Sequence, residues 1–216
     1  MTSLSQISDL AAQQGLAVLG GFRAGPEDGL PQGCQTLLML GPLEPGFWAR
    51  FTLSPEWQDG APDPMDRWSR RVVGHLACGL GAKALFPFGG PPWHPFYSWA
   101  VKSGQVWESP VRLLVQRDAG LMVSFRGALA LKEAIDVALP SPSPCEPCAR
   151  PCLTACPVSA LGPDGYDVPK CHAYLDSPEG AECMTQGCAV RRACPVSIAY
   201  ARLPDHSAYH MRQFHK

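Results

Sequence analysis

The sequence predicts an α+β protein in two parts: a mixed α/β domain over residues 1–140 and a small cysteine-rich domain over residues 141–216. Three observations support this. Helical and strand patterns alternate along the first part. Eight of the ten cysteines lie between Cys145 and Cys194. The joining segment VALPSPSP, residues 137–144, contains three prolines and is typical of an extended, semi-rigid linker.

The first helix and the next two strands follow from hydrophobic spacing. Apolar residues recur at helical intervals from Leu4 to Ala11, and Gly15 can end that helix. Residues 16–19 form a short apolar run, as do residues 36–40, which a Gly-Pro pair closes. Both runs have the length and composition of buried strands.

A second helix is predicted to begin at Pro64. Asp63 is the expected N-cap, proline suits the first helical position, and Asp66 suits the positive end of the helix. Gly79 and Gly81 are expected to stop it. Its apolar stripe consists of Met65, Trp68, Val72, Leu76 and Leu80.

The rest of the first part completes a sheet. Residues 82–88 are a third strand candidate. Residues 111–116 and 121–131 flank Asp118-Ala119-Gly120, which is typical of a hairpin turn. Together these elements predict a mixed sheet covered by helices.

An aromatic segment, FPFGGPPWHPF, spans residues 86–96. Its four prolines and two glycines exclude regular structure. Because exposing this many aromatic rings is costly, the segment is either a packed loop around the sheet or an apolar wall of a ligand pocket. The side chains assigned to that wall, for cofactor binding, are Phe86, Phe88, Trp93, His94 and Tyr97.

Charge and hydropathy exclude several classes of protein. With 18 Lys and Arg against 19 Asp and Glu, the net charge of -1 gives no sign of a nucleic-acid surface. No run reaches the roughly 18 apolar residues of a membrane span. The start, MTSLSQISDLAAQQG, lacks the basic and apolar regions of a secretory signal. We therefore expect a cytoplasmic protein with reduced thiols.

The cysteine-rich domain has the spacing of a metal or cluster module. CEPCARPCLTACP begins at Cys145, and CHAYLDSPEGAECMTQGCAVRRACP begins at Cys171. Thiolates are the usual ligands of iron–sulfur clusters, and two Cys-Pro endings and a four-cysteine first run favour that use. Zinc is the rival, because Cys-x2-Cys also suits zinc. Plain structural thiols are the third interpretation.

Eight cysteines match two clusters of four. By the bacterial ferredoxin pattern, in which the last cysteine of each motif crosses to the other cluster, the ligands fall into two sets. The first set is Cys145, Cys148, Cys152 and Cys194. The second set is Cys156, Cys171, Cys183 and Cys188. The strict pattern has two residues between its second and third cysteines, whereas this chain has three, residues 149–151.

Four further residues could bind a metal but have simpler interpretations. Cys34 and Cys78 lie outside the module and are expected to be small buried hydrophobes. His206 and His210 stand four apart on a possible C-terminal helix, which is a spacing that can ligate a metal. A solvated or capping histidine pair is the plainer expectation.

Two arginines, Arg191 and Arg192, lie between the last two cysteines. They could raise the potential of a cluster, dock an acidic electron donor, or belong to an ordinary solvated face.

The first part of the chain resembles a cobalamin-processing family. The strands LAVLGGFRA and QTLLMLGP, the DPMDRW helix and the segment GLMVSFRGALAL look like the lobe of the methylmalonic aciduria cblC type. That lobe followed by a cysteine module with CHAYL resembles epoxyqueuosine reductases and reductive dehalogenases. The resemblance implies a nitroreductase-like lobe, a ferredoxin-like module with two [4Fe-4S] clusters, and a corrinoid or, second, a flavin in the lobe.

The resemblance leads to three functional hypotheses. The first is a protein that passes electrons from a ferredoxin or flavodoxin through two [4Fe-4S] clusters to a bound corrinoid, for cobalamin reduction or reductive processing. The second is a ferredoxin-like carrier without its own corrinoid. The third is a zinc-stabilised interaction module. No acidic residue matches the catalytic residue of the epoxyqueuosine reductases, so their reaction is not expected here.

Overall fold

The computed structural model describes residues 2–216 as two compact units with a mixed α/β fold and small antiparallel sheets. The first unit contains the chain up to Val106 and Ser124–Ser141. The second contains Trp107–Val123 and Pro142–Lys216. The division after Ser141 lies one residue from the expected boundary, whereas Trp107–Val123 belongs to the second unit rather than to the first.

The helices and strands are short, apart from one long helix. The helices are α1 (Leu4–Gln13), α2 (Phe47–Thr52), α3 (Pro55–Gln58), α4 (Pro64–Gly79), α5 (Phe96–Lys102), α6 (Val168–Leu175), α7 (Ala181–Gln186), α8 (Ala189–Arg192), α9 (Pro195–Ala199) and α10 (Pro204–Phe214). The strands are β1 (Leu16–Arg23), β2 (Thr36–Pro42), β3 (Lys83–Leu85), β4 (Val106–Glu108), β5 (Leu114–Gln116), β6 (Gly127–Leu131), β7 (Leu161–Gly162) and β8 (Gly165–Tyr166). Of the helices in the described chain, none is long and apolar enough to cross a membrane.

The first unit is built on a four-stranded sheet in the order β1-β2-β6-β3. Each neighbouring pair is antiparallel, so the expectation of a mixed sheet was wrong. β2 and β6 are buried along their whole length, as central strands covered on both faces require. β3 is shorter than expected, because the proline-rich segment that follows it cannot continue a ladder of hydrogen bonds.

Helix α4 begins and ends close to the expected positions. Its stripe is buried from Met65 to Leu76, which explains why the apolar residues recur at helical spacing. Asp63 occupies the N-cap position but adopts a left-handed backbone, with φ at 50°, and its side chain makes no capping hydrogen bond. Pro64 therefore favours the start of the helix at this position, although the expected capping hydrogen bond is absent.

The hairpin expected around Asp118-Ala119-Gly120 was wrong. The turn itself exists, since Gln116 and Gly120 exchange backbone hydrogen bonds of 3.0 and 2.8 Å. The strands beside it have other partners: β5 pairs with β4, and β6 pairs with β2 and β3. In the second unit, the segment Trp107–Val123 supplies apolar side chains to the core around the cysteines.

Candidate metal centres in the cysteine-rich unit

The structure brings Cys145, Cys148, Cys152 and Cys194 together, and we call these four the first group. Three of them line a cavity of about 370 Å³, and all four line a small one of about 20 Å³ that shares half of its lining residues with the larger. The other walls of the larger cavity are apolar: Val115, Pro144, Pro147, Ala149, Pro195 and Val196. This is the set that the ferredoxin spacing predicted for one cluster; that it binds a cluster stays a prediction.

Backbone geometry positions the sulfur atoms of the first group. Arg150 has a left-handed backbone, with φ at 57°, and its N–H donates a 3.3 Å hydrogen bond to Cys148 Sγ. A 3-10 turn, Pro151–Leu153, then carries Cys152 into the core. Cys194 is the N-cap of α9, and its following proline starts that helix without needing an amide partner.

The other four cysteines of the module are Cys156, Cys171, Cys183 and Cys188, and we call them the second group. Burial raises the pKa of Cys171, and the neighbouring thiolates of the other three raise it further. Cys171 lies on α6, Cys183 on α7, and Cys188 is the N-cap of α8. Leu175 and Met211 form the apolar core against which three of these cysteines pack. Cys156 and Cys188 also pack against the core that contains Cys152 and Cys194, so the two groups are neighbours within one unit.

Ionising several thiols in one group is unfavourable without a cation. Burial raises the pKa of Cys145, Cys152, Cys171 and Cys183, and the other thiolates of the same group raise it further. Thiolates are the form of cysteine that ligates metal. A positively charged inorganic core bound by all four sulfurs would offset the repulsion between them.

Hydrogen bonds to sulfur also occur in the second group. Ala160 N–H donates to Cys156 Sγ at 3.2 Å, and the Tyr166 hydroxyl donates to Cys171 Sγ at 3.3 Å. The Tyr166 ring stacks on Phe214 with centroids 5.8 Å apart. Sequence reasoning missed Tyr166; the only signal was its place five residues before a cysteine.

Arg191 lies beside the second group. Its guanidinium donates a hydrogen bond to the carbonyl oxygen of Leu121, and none of its contacts in the described chain is to a carboxylate. Burial lowers the pKa of Arg191, while the neighbouring Cys188 and Tyr166 oppose that shift. Arg192, in contrast, is paired with Glu182 at 2.9 Å.

No three His, Cys, Asp or Glu side chains among residues 2–216 are arranged to hold a single metal ion. Zn–S bonds of about 2.3 Å require sulfur atoms within about 4 Å of one another. Three cysteines of the first group lie along the wall of a half-open cavity of about 370 Å³, which is more space than one ion needs.

The aromatic residues expected to bind a cofactor in the first unit have separate surroundings. Phe86 and Phe88 pack together at 5.3 Å, and the Arg70 guanidinium lies over both rings. His94 stacks on Trp99 at 5.5 Å. Trp93 and Tyr97 are exposed, with 63% and 46% of their surface accessible. The segment is thus partly a packed loop and partly an exposed aromatic surface.

Two of the simpler expectations were wrong. Cys78 is exposed rather than buried, because it lies off the apolar stripe of α4, whereas Cys34 is partly buried. His206 is fully buried rather than solvated, and its Nε2 lies 3.1 Å from Nε2 of His210. These two histidines therefore contact each other inside the unit.

Comparison with known proteins found no significant match to this chain among protein-family models, curated protein sequences or solved structures.

Proposed function

We propose that this protein transfers electrons through two [4Fe-4S] clusters, one held by each group of four cysteines. The observation that carries the proposal is that one unit contains eight cysteines, of which four line one small cavity and three line a larger apolar cavity beside it. Four thiolates are the donor set that a [4Fe-4S] cluster requires.

The residues present fit that use in three respects. The donor set is entirely thiol, which is typical of soft iron–sulfur ligation. The cavity of the first group is bounded by valine, proline and alanine side chains, which give the sulfurs apolar surroundings. Backbone N–H groups of Arg150 and Ala160 point at cysteine sulfurs and stabilise negative charge there.

The partners within each group support a ferredoxin-like module. Cys194, from the second motif, joins three cysteines of the first motif. Cys156, from the first motif, joins three cysteines of the second. Such an exchange is typical of two-cluster ferredoxins. The nitroreductase-like identity of the first unit is supported by the sequence resemblance.

A bound [4Fe-4S] cluster supplies reversible one-electron transfer. A one-electron donor of the ferredoxin or flavodoxin class would give up one electron per event and leave oxidised. The chain's own contribution is to hold the sulfurs, give them apolar surroundings and stabilise the added negative charge.

The test is anaerobic reduction of protein reconstituted with iron and sulfide. Reduced ferredoxin or flavodoxin should bleach the visible band, and electron paramagnetic resonance should count about two spins per chain, one for each cluster. A band that neither donor nor dithionite bleaches would overturn the proposal. Bound zinc without sulfide would support the interaction module instead.

A second candidate function adds a corrinoid that accepts these electrons. The observation that favours it is Trp93, an indole with 63% of its surface exposed in the aromatic segment of the first unit. A large flat macrocycle is a suitable partner for such a ring. Binding of hydroxocobalamin tests this candidate, and flavin is the alternative ligand.

A further inference from the structure

Arg191 is partly buried. Its guanidinium donates a hydrogen bond to the Leu121 carbonyl oxygen, Cys188 and Tyr166 act on it electrostatically, and none of these groups is a carboxylate. A partly desolvated cation is stabilised by a negative group nearby. A cluster bound by four thiolates carries net negative charge and would supply that group through Cys188.

Tyr166 offers the second group a hydrogen bond from a side chain held in place. Its hydroxyl donates to Cys171 Sγ at 3.3 Å, and its ring is stacked at 15° on Phe214. Arg191 acts on the same tyrosine, so the two side chains and two cysteines form one cluster of groups.

We infer that Tyr166 and Arg191 are positioning residues that raise the reduction potential of the cluster in the second group. This inference rests on the proposed function. The added electron makes the cluster more negative, and both a nearby cation and an O–H donor stabilise that charge. Removing either one should favour the oxidised form.

The test compares two substitutions with two matched controls in reconstituted full-length protein. Tyr166→Phe removes the hydroxyl and keeps the ring, whereas Tyr174→Phe removes a hydroxyl that donates to the Glu179 carbonyl at 2.7 Å. Arg191→Gln removes the cation. Arg202→Gln removes a cation that donates in the same way to the carbonyl oxygen of Met122 at 3.0 Å.

The measurement is a potentiometric titration followed by electron paramagnetic resonance. We expect Tyr166→Phe and Arg191→Gln each to shift the midpoint potential of the second cluster to more negative values. In Tyr166→Phe the first cluster should keep its wild-type potential, as should both clusters in the two control variants. Arg191→Gln should change the second potential more than the first, because Arg191 also donates to Leu121, which lines the small cavity of the first group. Arg191→Lys should have a midpoint potential close to that of the wild type, because it keeps the positive charge.

Iron and sulfide are counted first in every protein, which separates two kinds of failure. A wild type that assembles no clusters would overturn the proposed function. Clusters that assemble in Tyr166→Phe with an unchanged second potential would overturn the inference alone. If Arg191→Gln fails to fold, Tyr166→Phe alone still tests the inference, because Tyr166→Phe removes one oxygen atom and keeps the ring that stacks on Phe214.

Discussion

The two cysteine groups have the same four-thiol donor set but different surroundings. Three cysteines of the first group line an apolar cavity of about 370 Å³, and the nearby cation, Arg150, is exposed to water. The second group has Arg191, whose contacts include no carboxylate, and a hydroxyl donor from Tyr166. Water screens an exposed charge strongly and a partly buried charge less.

This difference indicates that separate parts of the sequence determine which cysteines come together and what reduction potential a bound cluster would have. Cysteine spacing determines which sulfurs meet. The side chains around them determine how well an added electron is stabilised. Two sites made of identical ligands can therefore differ in potential, which gives electron transfer between them a direction.

The largest effect is expected from removing one ligand of each group in turn. Cys194→Ser should lose the cluster of the first group, and Cys183→Ser that of the second, because each serine replaces one of four thiolates. Each variant should keep about half of the iron and sulfide, and a cluster signal in electron paramagnetic resonance that the other variant lacks. Each should also unfold at a lower temperature, since cluster binding contributes to folding.

Cys78→Ser is the control, because Cys78 is exposed and lies outside both groups. It should keep both clusters. Loss of the same signal in Cys194→Ser and Cys183→Ser would show that the two cysteines bind one cluster. That result would contradict the assignment of one cluster to each group.

A smaller effect is expected from crowding each group separately. An alanine Cβ at Gly120, where φ is 57°, would lie 2.5 Å from the backbone nitrogen of Ser197, on the helix that Cys194 begins. An alanine at Gly180 would press on the backbone of Tyr174 and Leu175, in the helix of Cys171. Each substitution should cost about 3 kcal/mol in the free energy of unfolding.

The two alanine variants should differ in which cluster becomes labile. Slow chelation of iron, followed spectroscopically, should release the first cluster faster from Gly120→Ala and the second faster from Gly180→Ala. Gly162→Ala is the matched control, because nothing lies within 4 Å of its added Cβ. Equal lability of both clusters in both variants would show that the groups are not separately supported.

The smallest effect concerns the first unit. Hydroxocobalamin should bind with a saturable shift to the base-off spectrum, and Trp93→Ala should weaken binding about tenfold, or about 1.4 kcal/mol, because it removes an exposed ring. Cys194→Ser and Cys183→Ser should bind it as the wild type does, since both cysteines belong to the second unit. Absence of binding at about 100 μM, which corresponds to about 5 kcal/mol, would leave the carrier without a corrinoid as the better hypothesis.

The elements that the sequence predicted well have strong periodicity. α1, β1, β2 and α4 combine a clear apolar pattern with a glycine or proline at one end. α2 and α3 were missed because aromatic packing, rather than spacing, holds them: Phe51 contacts both Trp57 and Trp68 edge-on. The hairpin was wrong because strand partners are chosen by tertiary contacts that an apolar run does not reveal.

The same limit applies to the candidate site. The proximity of the four cysteines of the first group could be predicted because ligand spacing is local and the ferredoxin pattern supplies the exchange between motifs, whereas the ligand sets themselves stay a prediction. Tyr166 could not be predicted, because its bond to Cys171 depends on how β8 meets α6. The role of Trp107–Val123 in the core of the first group was also hidden, since those residues precede the cysteines by more than twenty positions.

The most direct test of the central claim is native mass spectrometry of anaerobically reconstituted protein. If each group of four cysteines binds its own cluster, the mass should rise by two [4Fe-4S] units, and by one unit in Cys194→Ser and in Cys183→Ser. A wild-type mass that corresponds to zinc ions without sulfide, or to a single cluster, would contradict the account.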